Sequence, residues 1–224
     1  MEYKLISIYD KLSKAFGPQH WWPGDSSFEV MVGAILTQNT NWVNVEKAIV
    51  NLKEEKLLDA KKLYKLPEKK LAKLIRPAGY YNVKAKRLKN FLRFFLESYR
   101  GNIRAMKKAD LDILRRQLLN VNGIGPETAD SILLYALEKN IFVVDAYTKR
   151  VFSRHRIIKE DAGYHEVQEI FMRLVNCAGK SACKSISGWV RLFNEYHALI
   201  VRLAKEFCLK NKPKCGLCPL RGIA

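Results

Sequence analysis

A chain of 224 residues is long enough to bury one large core or two small ones, and at 48% hydrophobic and 11% aromatic it must fold rather than remain a disordered basic tail. Lysine and arginine number 40 against 22 aspartate and glutamate, a net +18 that calls for an anionic partner, nucleic acid or membrane surface, unless it is only the lysine-rich surface of a thermostable protein. No apolar run approaches the roughly 20 residues that span a bilayer, and MEYKLISIYDKL at the N-terminus lacks the hydrophobic stretch and cleavage site of a secretory signal, so the sequence reads as soluble and cytoplasmic.

Helical periodicity opens the chain. Leu5, Ile8, Tyr9, Leu12 and Phe16 recur at steps of three and four and predict an amphipathic helix over 2–16. Pro18, Pro23 and Gly24 break the pattern around His20, Trp21 and Trp22. From Ser27 the run FEVMVGAILTQ is apolar nearly all round, as in a helix buried in a core. Further helices are predicted over 42–54, 68–75, 83–98, 109–120, 126–139, 145–154, 162–175 and 186–207. IFVV at 141–144 is strand-like but too short to build a sheet, so the class is all-α with short connectors and no solenoid repeat. Residues 53–100 hold 15 lysines and arginines against 5 acids. With Tyr80 and Tyr81 beside Asn82, Lys84, Lys86 and Arg87, this run predicts a nucleic-acid surface, the alternative being a solvated helix face.

The most informative segment is LRRQLLNVNGIGPETADSILLYAL, residues 114–137. A helix ends near Asn120, Gly123-Ile124-Gly125 turns the chain, and Pro126 opens the next helix where its missing N–H costs nothing. Such a turn leaves backbone N–H groups pointing outward at a helix start, a site for one phosphate, although many helical hairpins use glycine only to turn. Twenty residues beyond Gly125, Asp145 follows the apolar IFVV at the start of another helix, as an N-cap, as a functional carboxylate, or as both. Near the C-terminus Cys208, Cys215 and Cys218 are spaced C-x6-C-x2-C. In a chain with five cysteines, Cys177 and Cys183 being the others, that spacing points to a metal site rather than a disulfide framework.

Taken in order, AILTQNTNWVNVEKA, RPAGYYNVKAKRL, the glycine hairpin with the following FVVDAY, and the cysteine tail resemble the endonuclease III superfamily of DNA glycosylases over almost the whole chain. The resemblance implies a two-lobed helix-hairpin-helix glycosylase fold. One lobe is a six-helix barrel domain over 27–138 that carries the hairpin; the other is a second helical lobe from 1–26 plus 139–224 that carries the catalytic Asp and ends in the cysteine-rich loop. It implies a monomer acting on double-stranded DNA with a damaged base, and no membrane. By matching motifs Gln38 would fill the hole left by an extruded base and Tyr80 would press on the opposite strand. Gly123 and Gly125 would face a phosphate, and carbonyls of Leu119, Val121 and Ile124 would hold a monovalent cation bridging to it. A 4Fe-4S cluster on Cys208, Cys215 and Cys218 is implied too, but the fourth cysteine position is Ala224. An altered cluster, a site that no longer holds iron, and zinc on three cysteines with another ligand therefore stay open.

Cutting an N-glycosidic bond builds positive charge on the sugar, which an ionised Asp145 would stabilise. Bifunctional members of the superfamily carry a lysine nucleophile two residues after the second hairpin glycine; here that residue is Glu127, which cannot form an imine, so the expectation is a monofunctional enzyme that uses water. Trp21, Trp22 and Trp42 suit a flat cationic purine. HWWP, Glu127 and VVDAY resemble the 3-methyladenine glycosylase branch, in which a lysine matching Lys205 reaches the pocket; an ordinary exposed helix lysine is the alternative. Trp189 reads as core, and His197 as a structural histidine rather than a catalyst. The rival readings are a glycosylase for a uracil or thymine mismatch or an oxidised base, and a non-catalytic DNA-binding module.

Overall fold

The computed structural model describes residues 1–22, 24–177 and 186–223, and among them every regular element is helical. Twelve α-helices follow one another among the described residues: α1 (Glu2–Phe16), α2 (Ser27–Leu36), α3 (Trp42–Glu54), α4 (Ala60–Lys65), α5 (Glu68–Leu74), α6 (Tyr81–Tyr99), α7 (Ile103–Lys108), α8 (Leu111–Leu119), α9 (Pro126–Ser131), α10 (Ala146–Arg154), α11 (Tyr164–Cys177) and α12 (Ile186–Glu206). None is long and apolar enough to cross a membrane.

The predicted helices all appear, with ends displaced by a residue or two. Two short ones, α4 and α7, were not anticipated. Each has six residues and one buried side chain, Leu63 or Met106, too few for a periodicity to be read; the legible signal was the cap, since Asp59 and Asn102 accept from Lys62 N and Ala105 N. The helix predicted over 126–139 starts at Pro126 but widens into a π turn over Ile132–Ala136. Residues 141–144 are buried without forming a strand.

The chain divides into two compact units, 1–22 with 140–224, and 23–139. In the unit of residues 23–139, α2 is buried on every side from Phe28 to Leu36, as its all-round apolar sequence requires. The buried Glu29 in that helix pairs with Lys53 at 2.7 Å, and Ser26 caps the helix by accepting from Glu29 N. Phe28, Phe95 and Phe91 stack in succession at 6.2 and 6.0 Å, which places one face of α6 against α2. The other unit packs Leu5, Ile8 and Leu12 of α1 and the aromatics of α11 and α12 into a core where Phe142 stacks on Phe171 at 3.8 Å. Tyr196 there donates to the Leu5 carbonyl at 2.7 Å, and Trp189 is buried as expected.

Lys84, on α6, is only 1% exposed. Its ammonium donates to the carbonyls of Leu36 at 2.8 Å and Ala78 at 2.7 Å, tying the end of α2 to the 3-10 turn Arg76–Ala78 that precedes Tyr80. Burial, with a smaller push from Arg87, brings this group down from its ordinary 10.5 to about 8. Below about pH 8 both folded and unfolded chains hold the proton. Between about 8 and 10.5 the unfolded chain holds more, so wild-type stability gains with rising pH across that window. Lys84→Met is expected to lack this gain, on the order of 1–2 kcal/mol. Denaturant titrations of both proteins at about pH 7.5 and about pH 9.5 check it; identical pH dependence would refute it.

Candidate functional site

The hairpin is built from α8, a turn and α9. Asp110 caps α8 by accepting from Asp112 N and Ile113 N, and Leu114 and Leu118 are buried. Arg115 on α8 forms a two-point ion pair with the fully buried Asp130 on α9, at 2.7 and 3.0 Å. That pair, with Ala129, Ile132, Leu133, Ala136 and Leu137 all buried, fixes the angle between the two helices. Gly123 sits at φ +94°, and a Cβ there would lie 2.3 Å from Arg87 Cγ, so both conformation and space demand glycine. Gly125 is extended and caps α9, with Pro126 at its first position. Neither glycine N–H donates to another described residue, so both are available to a phosphate. Of the three carbonyls expected to face a cation, that of Val121 also accepts Ile124 N at 2.9 Å within the turn.

Gln38, just past the end of α2, is half-buried and locked onto this hairpin. Its amide nitrogen donates to the Gly123 carbonyl at 3.0 Å and to Thr128 Oγ1 at 2.9 Å, and its oxygen accepts from Arg87 at 2.6 Å. The next residue, Asn39, is exposed at φ +53°. Gln38 would have to leave three hydrogen bonds to act as a wedge. Tyr80 stands 72% exposed in a left-handed conformation at the head of α6. Trp42 opens α3, half-buried, and Glu127 lies in the first turn of α9.

The basic run over 53–100 is not uniformly a DNA surface. Lys84 is buried, and Lys89 donates to the carbonyls of Leu63, Tyr64 and Leu66 at the end of α4. Lys53 pairs with Asp25 and Glu29. These three cations cap helix ends and neutralise acids. Lys61, Lys65, Lys69, Lys70, Lys73 and Lys86 remain exposed.

In the other unit Asp145 caps α10. One carboxylate oxygen accepts from Thr148 N at 2.7 Å and Thr148 Oγ1 at 2.9 Å; the other lies 3.5 Å from His197 Nε2 on α12. Burial pushes this carboxyl up. The adjacent His197 and then the Thr148 bonds outweigh it, and Asp145 is held below its ordinary value. His197 thus stands beside Asp145, a proximity that no local spacing reveals because α12 is far along the chain. Lys205 is exposed, its ammonium 6.0 Å over the Tyr147 ring, with Arg150 at 5.1 Å from the same ring. Trp21 and Trp22 meet edge to face at 5.4 Å, and Trp21 Nε1 is shielded without an acceptor among the described residues.

The cysteine loop after α12 is held by arginines. Arg150 donates to the Cys208 and Ala204 carbonyls, Arg154 to those of Leu209 and Lys210, and His155 Nδ1 meets the Ile223 carbonyl at 2.7 Å. Cys208 is buried, Cys215 exposed and Cys218 half-buried. The Cys183 and Ala224 positions and the Cys177 side chain lie outside the described residues. Among the described residues no three histidine, cysteine or acidic side chains stand close enough to hold a metal ion. Among the described residues this loop offers three thiols, Cys208, Cys215 and Cys218, one fewer than the four thiolates such a cluster takes.

A family model for HhH-GPD superfamily base excision DNA repair proteins matches residues 32–177. The protein described as "Putative DNA repair glycosylase MJ1434" of Methanocaldococcus jannaschii is 52% identical over 219 residues, 97% of this chain and 94% of that protein. The solved structure of H. pylori 3-methyladenine DNA glycosylase (MagIII) bound to 1,N6-ethenoadenine is similar at a TM-score of 0.78 and 31% identity, over 92% of this chain and 97% of that one. A non-covalent endonuclease III–DNA complex is similar in fold, at a TM-score of 0.79 and 22% identity over 98% of this chain and 93% of that one.

Proposed function

Because the chain belongs to the HhH-GPD superfamily of base excision DNA repair proteins and is a DNA glycosylase of that kind, we propose that it releases alkylated purines from double-stranded DNA by hydrolysis, leaving an abasic site. The observation that carries the substrate class is the 31% identity, over 92% of the chain, to a 3-methyladenine DNA glycosylase. The paired indoles of Trp21 and Trp22 support it, since a cationic purine gains about 0.5–2 kcal/mol over an aromatic face.

An alkylated purine is already positively charged, so its glycosidic bond breaks without much help from an acid. As the bond between C1′ and the base nitrogen lengthens, the electron pair leaves with the base, which departs neutral, and positive charge builds on the sugar. Asp145, ionised and fixed by Thr148, stabilises that charge more than it stabilises the ground state. A water oxygen then bonds to C1′ and gives its proton to the carboxylate. The hairpin N–H groups and Tyr80 hold the duplex, and extruding the base costs a few kcal/mol. Glu127 stands where an amine would be needed for imine chemistry, so water is the nucleophile and the strand stays intact.

Duplexes each bearing one lesion, assayed for base release and separately for nicking before alkali, test this reading. Release of 3-methyladenine and 7-methylguanine without nicking is expected. Preferential release of uracil, mismatched thymine or an oxidised base would overturn the substrate class. A borohydride-trapped covalent adduct would overturn the hydrolytic route.

A further inference from the structure

We propose that His197 is the positioning residue of the Asp145 carboxylate, holding it ionised and correctly turned through contact with the oxygen that Thr148 leaves uncovered. The proposal deepens the reading of Asp145 as the catalytic carboxylate and rests on it.

The geometry divides the carboxylate in two. Thr148 supplies both of its donors to Oδ1, whereas Oδ2 faces His197 Nε2 at 3.5 Å. The Asp145 side chain is 12% exposed and that of His197 6% exposed, so water screens the contact poorly. The imidazole cannot swing aside easily, because Phe142 packs edge-on against it at 6.3 Å and the neighbouring Tyr196 is anchored to Leu5. Several other ionisable groups on the packed elements are engaged elsewhere. On α10, Lys149 donates to the Ala162 carbonyl and Arg150 to the end of α12. On α12, Glu195 accepts from Gln19 N and Lys205 lies over Tyr147. From the side of α11, Tyr164 accepts from Val144 N, and Glu166 accepts from Gly163 N. On α1, Asp10 is exposed. Among the described residues, His197 is the ionisable side chain that stands against Oδ2.

Two variants test this, His197→Leu, which removes the imidazole and its donor, and His197→Gln, which keeps a donor. Two readouts are used: the pH profile of base release, and carboxyl-carbon NMR titration of aspartate-labelled protein, with thermal melting to confirm folding. In His197→Leu the acid limb of the profile is expected to move upward, so that release at about pH 5 relative to about pH 7.5 falls by about tenfold, with Asp145 titrating at higher pH than in the wild type. His197→Gln should recover part of both. If the leucine variant does not fold, the glutamine variant carries the test, since replacing the imidazole by an amide is still expected to raise the Asp145 titration. An unmoved acid limb and unmoved Asp145 titration in a folded variant would overturn the proposal. If the wild type releases no base from any duplex, the catalytic reading fails, and the NMR titration still decides the contact between the two residues.

Discussion

Asp145→Asn is expected to reduce base release by at least about a hundredfold while keeping the α10 cap and leaving lesion-DNA affinity close to wild type, with only the stability owed to the ionised carboxylate lost. The substitution separates two duties of one side chain. As the cap of α10, Asp145 accepts from Thr148 N and Thr148 Oγ1, and an asparagine oxygen accepts both equally well. In the proposed reaction it is a charge beside a developing oxocarbenium ion, for which there is no neutral substitute, and the loss is expected to fall on the transition state. Single-turnover release from an alkylated duplex, with binding measured in parallel, checks the split. Loss of melting temperature equal to that of a cap deletion, or more than a tenth of wild-type activity, would contradict it. The ionisation of Asp145 also sets the sign of the pH dependence. A carboxyl held below its ordinary value contributes stability that is complete at neutral pH and is lost as pH falls through the folded value; activity follows the same direction.

The second large effect is expected at the hairpin. Arg115→Met should destabilise the fold by about 3 kcal/mol, because it strips the guanidinium from Asp130, which is 0% exposed and cannot turn to water. The ion pair joins α8 to α9, so the cost is also geometric. The Gly123-Gly125 turn is held at one end by this pair and at the other by Gln38 and Arg87. DNA affinity should therefore drop beyond what the loss of one exposed charge explains, with undamaged and damaged duplexes affected alike. Denaturant unfolding and salt-series binding measure the two parts. A destabilisation below about 1 kcal/mol would place this pair with exposed ion pairs instead. The double variant Arg115→Met with Asp130→Leu should recover much of the stability, since replacing both partners by apolar groups removes the buried charge.

Helix periodicity made nearly every long helix legible, because burying one face imposes a spacing of three and four that any amphipathic segment must show. Legible too were the Gly123-Ile124-Gly125 turn, demanded by positive φ and Arg87 packing, and Asp145, whose place after an apolar run announced a cap. The short helices α4 and α7 escaped because one buried residue carries no period. The cations between 53 and 100 could be counted but not assigned. Whether a lysine meets a phosphate, a carboxylate or a helix end depends on which carbonyls the packed chain leaves unsatisfied, and for Lys84 and Lys89 these lie on other elements.

The same distinction runs through the candidate site. Local sequence determined the helical class, the glycine turn of the hairpin, the capping carboxylate and the absence of an amine at Glu127, since each depends on residues within a turn or two of one another. Only the tertiary structure decided that Gln38 braces the hairpin, that arginines hold the cysteine loop, and that His197 stands against Asp145. Those contacts join residues far apart in the chain. Their energies come from burial and charge pairing, which exist only once the helices have packed.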